Sequence, residues 1–380
     1  MLAFIIVNFS GMEGRQPLTV LICPLNWGLG HATRCVPVIN ALLMRNCRVV
    51  VAADGPALDF LQYEYGQLDF IRFRGKTIRY NQRGSLALKL VLQAPALLWS
   101  VVHEHFVLKR LVKQTGASLV ISDNRYGLWS NRAKTVFITH QIFIQAPPVI
   151  KWIEPLLWLI TRFFVKKFTR CWVPDLPEAP GLSGLLSHAM PIPGIRFVGP
   201  LSRFTALSEA DFINPMPNDF SGNFYLCIIS GPEPQRSKFE ELLKNQFEKA
   251  LLPTVFVLGK PGSKLRQRAG TLFFIDHPST TELAWLIKNA RLIICRPGYS
   301  TVMDLTVFGK KALLVPSPGQ TEQLYLGQVL LNTGLAHSVS QKELNLDRDI
   351  GIAENCLGLP NINPDNSLLN AALDELLGPL

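Results

Sequence analysis

The sequence predicts two doubly wound α/β domains that face each other across a cleft, and three observations support this fold class. The chain has 380 residues, whereas a single soluble domain mostly has about 100–200. Hydrophobic residues make up 48% of the chain and charged residues 17%, which excludes a disordered chain and a coiled coil. Apolar runs typical of buried strands alternate with helical stretches in both halves, as in parallel α/β sheets.

The N-terminal half opens with a strand–loop–helix–strand unit. An apolar run at 18–26 is followed by the glycine-rich segment WGLGHATR, by helical spacing at 36–46, and by a second apolar run at 47–54. Two more apolar runs lie at 117–123 and 134–140. Continuous apolar runs bounded by turn residues are typical of parallel strands that are buried on both faces.

The C-terminal half repeats this alternation of strands and helices. Helical spacing at 236–250 and 279–289 separates some of its apolar runs. The strands predicted in this half lie at 224–230, 253–259, 270–276, 290–296 and 311–317.

Composition also predicts the domain boundaries. A stretch rich in Pro, Ser, Asn and Asp is typical of a connection, and we place the linker at 201–222. This leaves an N-terminal domain at 1–200 and a C-terminal domain at 223–380. The helical stretch at 366–378 is expected to close the chain and to pack back on the N-terminal domain.

Charge and cysteine content narrow the class of protein. The net charge of +10 suits nucleic acid, an anionic membrane surface or phosphorylated substrates. The seven cysteines are odd in number and form no C-x-x-C pair, which argues against a disulfide framework and a cysteine zinc site and favours the reducing cytoplasm. The opening MLAFIIVNFS lacks the basic region of a signal peptide, and either Met1 or Met12 is the start.

The segment NWGLGHATR is the first candidate site. Gly28 and Gly30 lie between a strand and a helix, where glycine permits a tight turn and close approach to a bound group, and where the helix N-terminus favours anions. The spacing matches the dinucleotide fingerprint incompletely, so we do not expect a dinucleotide. His31 is either a capping residue or a polar group that faces the cleft, where the helix N-terminus would keep it neutral.

Three other polar residues of this half follow or end predicted strands. Asp123 ends one apolar run, and His140 and Gln141 end the next. Ligand sites of parallel α/β sheets lie at the carboxyl ends of the strands, so we expect these residues near His31. The alternative for each is a loop residue with no role in binding.

The segment CRPGYSTVMDL is a second candidate site. Gly298 and the hydroxyls of Ser300 and Thr301 open a helix and can bind an anion. Asp304 falls one turn later, where a carboxylate can bind the diol of a ribose.

The next predicted strand leads into PSPGQTEQLYLG. Gln320, Glu322 and Gln323 combine two amides with a carboxylate, which suits a ligand rich in hydroxyl groups. A solvated loop is the alternative.

The two C-terminal segments together resemble the nucleotide-sugar signature of glycosyltransferases of the GT-B fold. They are most similar to family 28, which includes the peptidoglycan N-acetylglucosaminyltransferase. The segment GLGH at 28–31 is similar to the N-terminal glycine-rich loop of that family. The resemblance spans most of residues 18–335 and implies two Rossmann-like domains, the first for the acceptor and the second for the nucleotide sugar.

The resemblance also implies roles for single residues. The carboxylate that binds the ribose falls on Asp304, where the family usually has Glu, and the glutamine that contacts the donor sugar falls on Gln323. A second glutamine of the family is Leu324 here, which leaves the identity of the sugar open. The other residues expected to bind the donor are Ser230, Gly231, Phe274, Ile275, Arg296, Gly298, Ser300, Thr301, Gln320 and Glu322; among them the backbone of Phe274 and Ile275 would receive the uracil, and Ser230 and Gly231 the diphosphate.

The implied reaction is an inverting transfer of a GlcNAc-like sugar from a UDP-sugar to a lipid-linked or membrane-presented acceptor. A base in the N-terminal domain must reach the acceptor hydroxyl. His31 is preferred, as base or as a group that orients the acceptor, because its pKa suits neutral pH; Asp123 is the alternative. Gly28, Gly30, His140 and Gln141 are expected to bind the acceptor.

Neither a metal nor a cofactor is expected. His103 and His105 are spaced i, i+2 on a predicted helix and so do not face each other. Two alternatives to the transferase remain open. One is a UDP-sugar epimerase of the same fold, which would need further acid–base carboxylates in the cleft; the other is a non-catalytic subunit that binds a nucleotide sugar.

The segment at 149–172 combines aromatic, aliphatic and basic residues. Its uninterrupted apolar run is far shorter than the roughly 20 residues of a membrane-spanning helix. We expect it to lie on an anionic membrane surface as an interfacial helix, with a buried helix as the alternative. The stretch at 93–113 is similar in character, and the basic loop at 72–84 could meet lipid headgroups or an acceptor phosphate. Basic residues do not alternate with aromatic residues as in a nucleic-acid module, so nucleic acid is not expected.

Overall fold

The computed structural model describes residues 17–75, 86–217, 223–231, 233–260, 263, 265–362 and 365–378. These residues form two α/β domains, each built on one sheet, and the predicted fold class is confirmed. Residues 76–84 of the basic loop predicted at 72–84, which include Lys76, Arg79 and Arg83, lie outside the described residues.

The N-terminal domain contains a parallel sheet with strand order β3-β2-β1-β4-β5-β6-β7. The order reverses between β1 and β4, and the carboxyl end of each parallel strand lies at the same edge. Its strands are β1 Thr19–Pro24, β2 Arg48–Ala53, β3 Asp69–Arg72, β4 Leu119–Asp123, β5 Lys134–Ile138, β6 Arg170–Val173 and β7 Ile195–Phe197.

Helices cover both faces of this sheet. The first begins after Gly28 and places its apolar side on the core beneath it. The helices of this domain are α1 Leu29–Met44, α2 Gly55–Glu64, α3 Leu86–Thr115, α4 Glu154–Val165 and α5 Leu185–His188, with a 3-10 helix at Pro148–Ile153 before α4.

The C-terminal domain contains a second sheet, of order β10-β11-β9-β8-β12-β13-β14, in which only the pair β10–β11 is antiparallel. Its strands are β8 Tyr225–Ile228, β9 Thr254–Val257, β10 Arg266–Ala269, β11 Leu272–Ile275, β12 Leu292–Cys295, β13 Ala312–Leu314 and β14 His337–Ser338. Its helices are α6 Gln235–Ala250, α7 Thr280–Asn289, α8 Tyr299–Phe308, α9 Thr321–Asn332 and α10 Leu346–Glu354.

The connection between the domains is shorter than the predicted linker. Leu201 packs in the core of the N-terminal domain, whereas Phe204 and Met216 pack in the core of the C-terminal domain. The chain therefore crosses at 202–203, and much of the segment predicted as linker covers the second domain.

The last helix, α11 Ser367–Leu377, packs on the N-terminal domain. Its buried residues follow the i, i+3, i+4, i+7 spacing of one helical face, and they are Leu369, Ala372, Leu373 and Leu376. Arg45 of α1 binds Asp374 at 2.7 Å, and Arg170 binds Glu375.

The segment at 149–172 was predicted to be one helix, and this prediction is wrong. It contains the 3-10 helix, α4 and the start of β6. Cys171 and Trp172 are buried in that strand, where their apolar side chains belong to the sheet rather than to a surface helix.

Candidate active site

The carboxyl edge of the N-terminal sheet holds a cluster of four charged or titratable side chains. Arg34 binds Asp123 with two hydrogen bonds, one from Nε to Oδ2 at 2.7 Å and one from Nη2 to Oδ1. Nη1 of Arg34 lies 3.2 Å from Nδ1 of His140, and Nη2 lies 2.8 Å from Nδ1 of His31. The cluster forms because His31 and Arg34 share one face of α1, three residues apart, while Asp123 and His140 come from the adjacent strands β4 and β5.

Asp123 is not placed to act as the alternative base. Its side chain has no exposed surface, and both oxygens accept hydrogen bonds from Arg34. Burial alone would raise the pKa of Asp123, but the charge of Arg34 and the contact with His31 outweigh it and lower the pKa. A carboxylate with no exposed surface and a lowered pKa is a poor base, so this geometry favours His31 over Asp123 as the base.

His31 retains access to the cleft, since 15% of its side chain is exposed. Burial and the charge of Arg34 lower the pKa of His31, against the opposing effect of Asp123. The imidazole is therefore neutral at neutral pH.

Glycine is required at positions 28 and 30 for different geometric reasons. Gly28 caps α1 with φ +121°, a backbone conformation that favours glycine. A Cβ atom on Gly30 would lie 2.9 Å from Oγ of Ser300. The Ser300 hydroxyl donates to the Gly30 carbonyl at 2.9 Å, so this glycine permits the start of α1 to meet the start of α8 across the cleft. The Ser300 hydroxyl, which was expected to bind the donor, therefore donates its hydrogen bond to the other domain.

A second contact across the cleft joins residues that the sequence assigned to different ligands. Nε2 of His140 lies 3.1 Å from Oε1 of Glu322, and the amide of Gln141 donates to Oε2. The His140 ring also stacks on Tyr299, with ring centroids 4.2 Å apart. Glu322, expected on the donor, and His140 and Gln141, expected on the acceptor, therefore bind one another.

Asp304 lies on the second turn of α8, half-buried. Its Oδ1 accepts a hydrogen bond from the Ser202 hydroxyl at 2.6 Å. Burial raises the pKa of Asp304 to about 6, although the charge of Arg203 and the Ser202 hydrogen bond oppose this. A carboxylate held in this way gains from further hydrogen-bond donors such as ribose hydroxyls.

Arg203 is a candidate ligand-binding residue that was not predicted. Nothing in the sequence distinguishes a single arginine in a linker from a solvent-exposed one. Nε and Nη1 of its guanidinium are buried with no hydrogen-bond partner among the described residues. The group packs between the rings of Phe60 and Phe204. Burial and its charge lower the pKa of His277 to about 4. A guanidinium near Asp304 with two unpartnered nitrogens suits an anionic ligand.

The loops before α6 and α9, with the start of α9, hold four of the other predicted donor residues, Ser230, Gly231, Gln320 and Gln323. Ser230 and Gly231 follow β8, and Gly231 has φ +111°. A Cβ at Gly231 would lie 4.0 Å from Oγ of Ser317, a buried hydroxyl with no partner among the described residues. Oε1 of Gln323 accepts from the Ser317 amide at 2.8 Å, and Gln320 caps the start of α9. Ser317 was missed because its place beside Gly231 depends on the tertiary fold.

Two expected donor contacts are not available as predicted. Arg296 has no exposed surface; it donates to the carbonyl of Val315 at 2.8 Å and to Oε1 of Gln341 at 2.6 Å, which commits it to the interior. The backbone of Phe274 and Ile275 pairs with β9 on one side and β10 on the other, so the sheet already uses the groups expected to receive uracil. Gly298 and Thr301 lie side by side at the start of α8, as expected.

The sequence contains one D-x-D triplet, Asp347 to Asp349. Asp349 is buried; Nε2 of His337 lies 3.1 Å from its Oδ1, and its Oδ2 accepts from the Asn345 amide at 2.8 Å. Asp349 therefore stabilises the start of α10. Among the described residues no group of three or more His, Cys, Asp or Glu is arranged to hold a metal.

Part of the C-terminal domain matches a known family. Residues 274–350 match the model of the glycosyltransferase family 28 C-terminal domain. The resemblance to family 28 is confirmed here. The match includes α8 with Asp304 and α9 with Glu322 and Gln323.

One curated relative is similar over part of the chain. The UDP-N-acetylglucosamine--N-acetylmuramyl-(pentapeptide) pyrophosphoryl-undecaprenol N-acetylglucosamine transferase of Sinorhizobium fredii is 37% identical over 138 residues. These residues are 36% of this chain and 34% of the relative, so the similarity spans about a third of that protein's length.

Solved structures match nearly the whole chain at low identity. A glycotransferase of kitacinnamycin has a TM-score of 0.61 and 12% identity, with 96% of this chain and 97% of that chain covered. A UDP-GlcNAc 2-epimerase from Neisseria meningitidis, bound to UDP-GlcNAc, has a TM-score of 0.57 and 12% identity, with 95% and 100% covered. The GT-B fold is confirmed, and because an epimerase shares it, the fold does not decide the reaction.

Proposed function

We propose that the protein is an inverting glycosyltransferase that moves a GlcNAc-like sugar from a UDP-sugar to a lipid-linked or membrane-presented acceptor. The meeting of the starts of α1 and α8, through Ser300 and Gly30 at 2.9 Å, carries this proposal. A diphosphate at the N-terminus of α8 would lie beside His31 of α1. The reacting carbon of the donor would then face His31, whose side chain is the most accessible of the charged cluster.

The donor side supplies the ligands of the nucleotide. Asp304 would bind the ribose hydroxyls, and the unpartnered nitrogens of Arg203 would bind an anionic part of the donor. Gly231, Ser317 and Gln323 lie together at the start of α6 and α9, where they would bind the diphosphate and the sugar. The family match over residues 274–350 supports the assignment of Asp304, Ser317 and Gln323, which lie within it.

The acceptor side would use the cluster around Arg34. The acceptor oxygen bonds to the anomeric carbon while the bond from that carbon to the diphosphate breaks, and the hydroxyl proton is released. His31 acts on this step, either as the base or as a group that orients a reacting oxygen. The developing charge on the diphosphate would be stabilised by helix N-termini and by Arg203. We propose that no metal is needed, because these groups already offer positive potential to the leaving group.

We also propose that the protein docks on the cytoplasmic face of an anionic membrane. None of the helices among the described residues has the length and apolar content to cross a bilayer. Two segments of the N-terminal domain nevertheless expose large apolar side chains, together called the apolar–basic face. Its apolar members are Leu98, Trp99, Val102, Phe106, Val149, Trp152, Leu156, Leu159, Ile160 and Phe163.

The two halves of the apolar–basic face are adjacent. Trp129 stacks on His105 of α3, with ring centroids 3.7 Å apart, and its ring lies 4.8 Å from Nζ of Lys167 beyond α4. Exposed lysines accompany the aromatic residues: Nζ of Lys109 lies 5.3 Å from the Phe106 ring. A surface of exposed aromatic and basic residues suits the interface of an anionic bilayer, which is where a lipid-linked acceptor is found.

The proposed activity is tested by incubating the protein with a panel of UDP-sugars and measuring UDP release with and without membrane extract. We expect one sugar, UDP-GlcNAc or a close analogue, to give release that depends on the extract. His31→Ala should lower that release by about a hundredfold while UDP binding persists. Interconversion of the UDP-sugar without UDP release would instead show an epimerase, and UDP binding with no turnover of any sugar would show a binding subunit.

A further inference from the structure

Nδ1 of His31 has two polar neighbours, a hydrogen-bond donor and a hydrogen-bond acceptor. Nδ1 lies 2.8 Å from Nη2 of Arg34 and 3.2 Å from Oδ2 of Asp123. A guanidinium has only donors, whereas a carboxylate only accepts. If Nδ1 carried a proton, it would point a hydrogen at Asp123 while the closer Arg34 pointed another hydrogen at Nδ1. The shorter contact is therefore satisfied only when Nδ1 carries a lone pair.

His140 provides an internal check on this reasoning. Its Nδ1 lies 3.2 Å from Nη1 of Arg34, and its Nε2 lies 3.1 Å from Oε1 of Glu322. The donor-only Arg34 requires a lone pair on Nδ1, and the acceptor-only Glu322 requires a proton on Nε2. Both neighbours thus specify the same tautomer of His140, and the guanidinium that specifies it is the one that contacts His31.

We propose that Arg34 holds His31 in the tautomer that is protonated on Nε2, so that His31 donates a hydrogen bond to a reacting oxygen instead of taking the proton of the acceptor hydroxyl. This inference rests on the proposed transferase and decides between the two roles left open for His31. Arg34 itself is a positioning residue, since it acts through His31. The lowered pKa of His31 agrees, because a neutral ring with its only lone pair turned towards Arg34 binds a proton weakly.

The reaction stays balanced without a histidine base. The acceptor oxygen forms its bond to the anomeric carbon, the diphosphate leaves with the electron pair of the bond that breaks, and the hydroxyl proton passes to water. The Nε2 hydrogen of His31 stabilises the oxygen on which charge develops, as a preorganised donor does in other group transfers.

The tautomer can be measured directly on the wild-type protein. Long-range ¹⁵N–¹H correlation spectra of protein labelled in histidine distinguish a protonated ring nitrogen from one with a lone pair. The chain has seven histidines, and His31 is assigned by the signals lost in His31→Gln. We expect His31 to be protonated on Nε2; a proton on Nδ1 would overturn the proposal. This measurement needs no turnover, so it stands even if the proposed activity fails.

A pair of substitutions gives a second test by activity. The amide nitrogen of Gln can occupy the position of His Nε2, and it donates a hydrogen bond but cannot act as a base. His31→Ala should lower turnover by about a hundredfold, and His31→Gln should recover at least about tenfold of this loss, the range of a hydrogen bond to a charged group. Equal losses of a hundredfold or more in both variants would indicate a base and would contradict the proposal.

Arg34→Met tests the positioning role. With Arg34 absent, Asp123 is the remaining neighbour of Nδ1, and the proton of His31 should move to Nδ1 in the same spectrum. If the folded variant keeps Nε2 protonated, Arg34 does not set the tautomer. If the variant does not fold, the wild-type spectrum and the His31→Gln rescue still decide the proposal.

Discussion

A helix begins after a glycine on each edge of the cleft, α1 after Gly28 and α8 after Gly298, but the polar groups of the two edges are satisfied in different ways. On the N-terminal edge, Arg34 and Asp123 are buried and bind each other, and His31 and His140 lie against them. On the C-terminal edge, Ser317 and Arg203 have buried polar atoms with no partner among the described residues. A network satisfied within the protein fixes geometry before substrate arrives, whereas unpartnered groups gain most from a polar ligand. We therefore expect the N-terminal edge to position substrate and the C-terminal edge to bind it.

The largest expected effect concerns the stability of the N-terminal network. Arg34→Met leaves Asp123 as an uncompensated buried charge, which should lower the free energy of unfolding by about 3–5 kcal/mol. Arg48→Met is the matched control, because Arg48 and Asp69 form a pair whose side chains are 54% and 56% exposed. That control should change stability by about 1 kcal/mol or less. Equal small losses in urea unfolding would mean that the network contributes no more than a surface pair.

The C-terminal edge should show its effect in binding. Asp304→Ala removes a carboxylate that would accept ribose hydroxyls, so UDP affinity measured by calorimetry should fall by about tenfold to a hundredfold. Asp211→Ala, an exposed carboxylate of the same half, should leave the affinity unchanged. Unchanged affinity in Asp304→Ala would remove this residue from the donor site.

The surfaces of the two domains can be compared in the same way. Trp152 and Phe163 are 79% and 58% exposed on the apolar–basic face, and Leu357 is 78% exposed on the C-terminal domain. Trp152→Ser and Phe163→Ser should each weaken sedimentation with anionic vesicles by about tenfold, whereas Leu357→Ser should not. Because lysines contribute about 1 kcal/mol each near an anionic surface, high salt should release part of the wild-type protein. Full recovery in the supernatant at low salt would show that this face binds no anionic lipid.

The smallest expected effect is a pH dependence of the donor side. Burial raises the pKa of Asp304 to about 6, so the group is ionised above that pH and gains a proton below it. At one pH unit below its pKa about a tenth remains ionised, and the affinity for UDP-GlcNAc should fall by up to about tenfold relative to pH 8. The intact UDP-sugar is the right probe, because its diphosphate is esterified at both ends and does not titrate in this range. Asp304→Asn should abolish the dependence, and the same slope in that variant would assign it to another group.

The long apolar strands could be predicted from the sequence, whereas strands without apolar runs could not. The central strands β1, β2, β4, β8 and β12 are buried on both faces and carry continuous hydrophobic runs. In contrast, β10 consists of Arg266–Ala269, all exposed, and is recognised only by its pairing with β11. The start of β6 lay within a stretch read as helix because its apolar residues adjoin those of α4.

For the site, the motifs predicted which residues gather at the cleft, but not which of them bind one another. His31, Asp123 and His140 follow strand ends and were expected together. Arg34 has the same helical phase as His31, yet a buried arginine is identified only when its carboxylate partner is found across the sheet. The pairing of Glu322 with His140 and Gln141 depends on how two domains meet, which no local pattern encodes.

The return of α11 to the first domain means that the chain passes between the domains twice, once at 202–203 and once before Ser367. Two connections constrain the relative orientation of the domains. A second covalent connection leaves one domain fewer ways to rotate relative to the other than a single connection would. Loss of the final helix would expose the core beneath Leu369 and Leu373. It would also leave the two domains joined by a single connection, at 202–203.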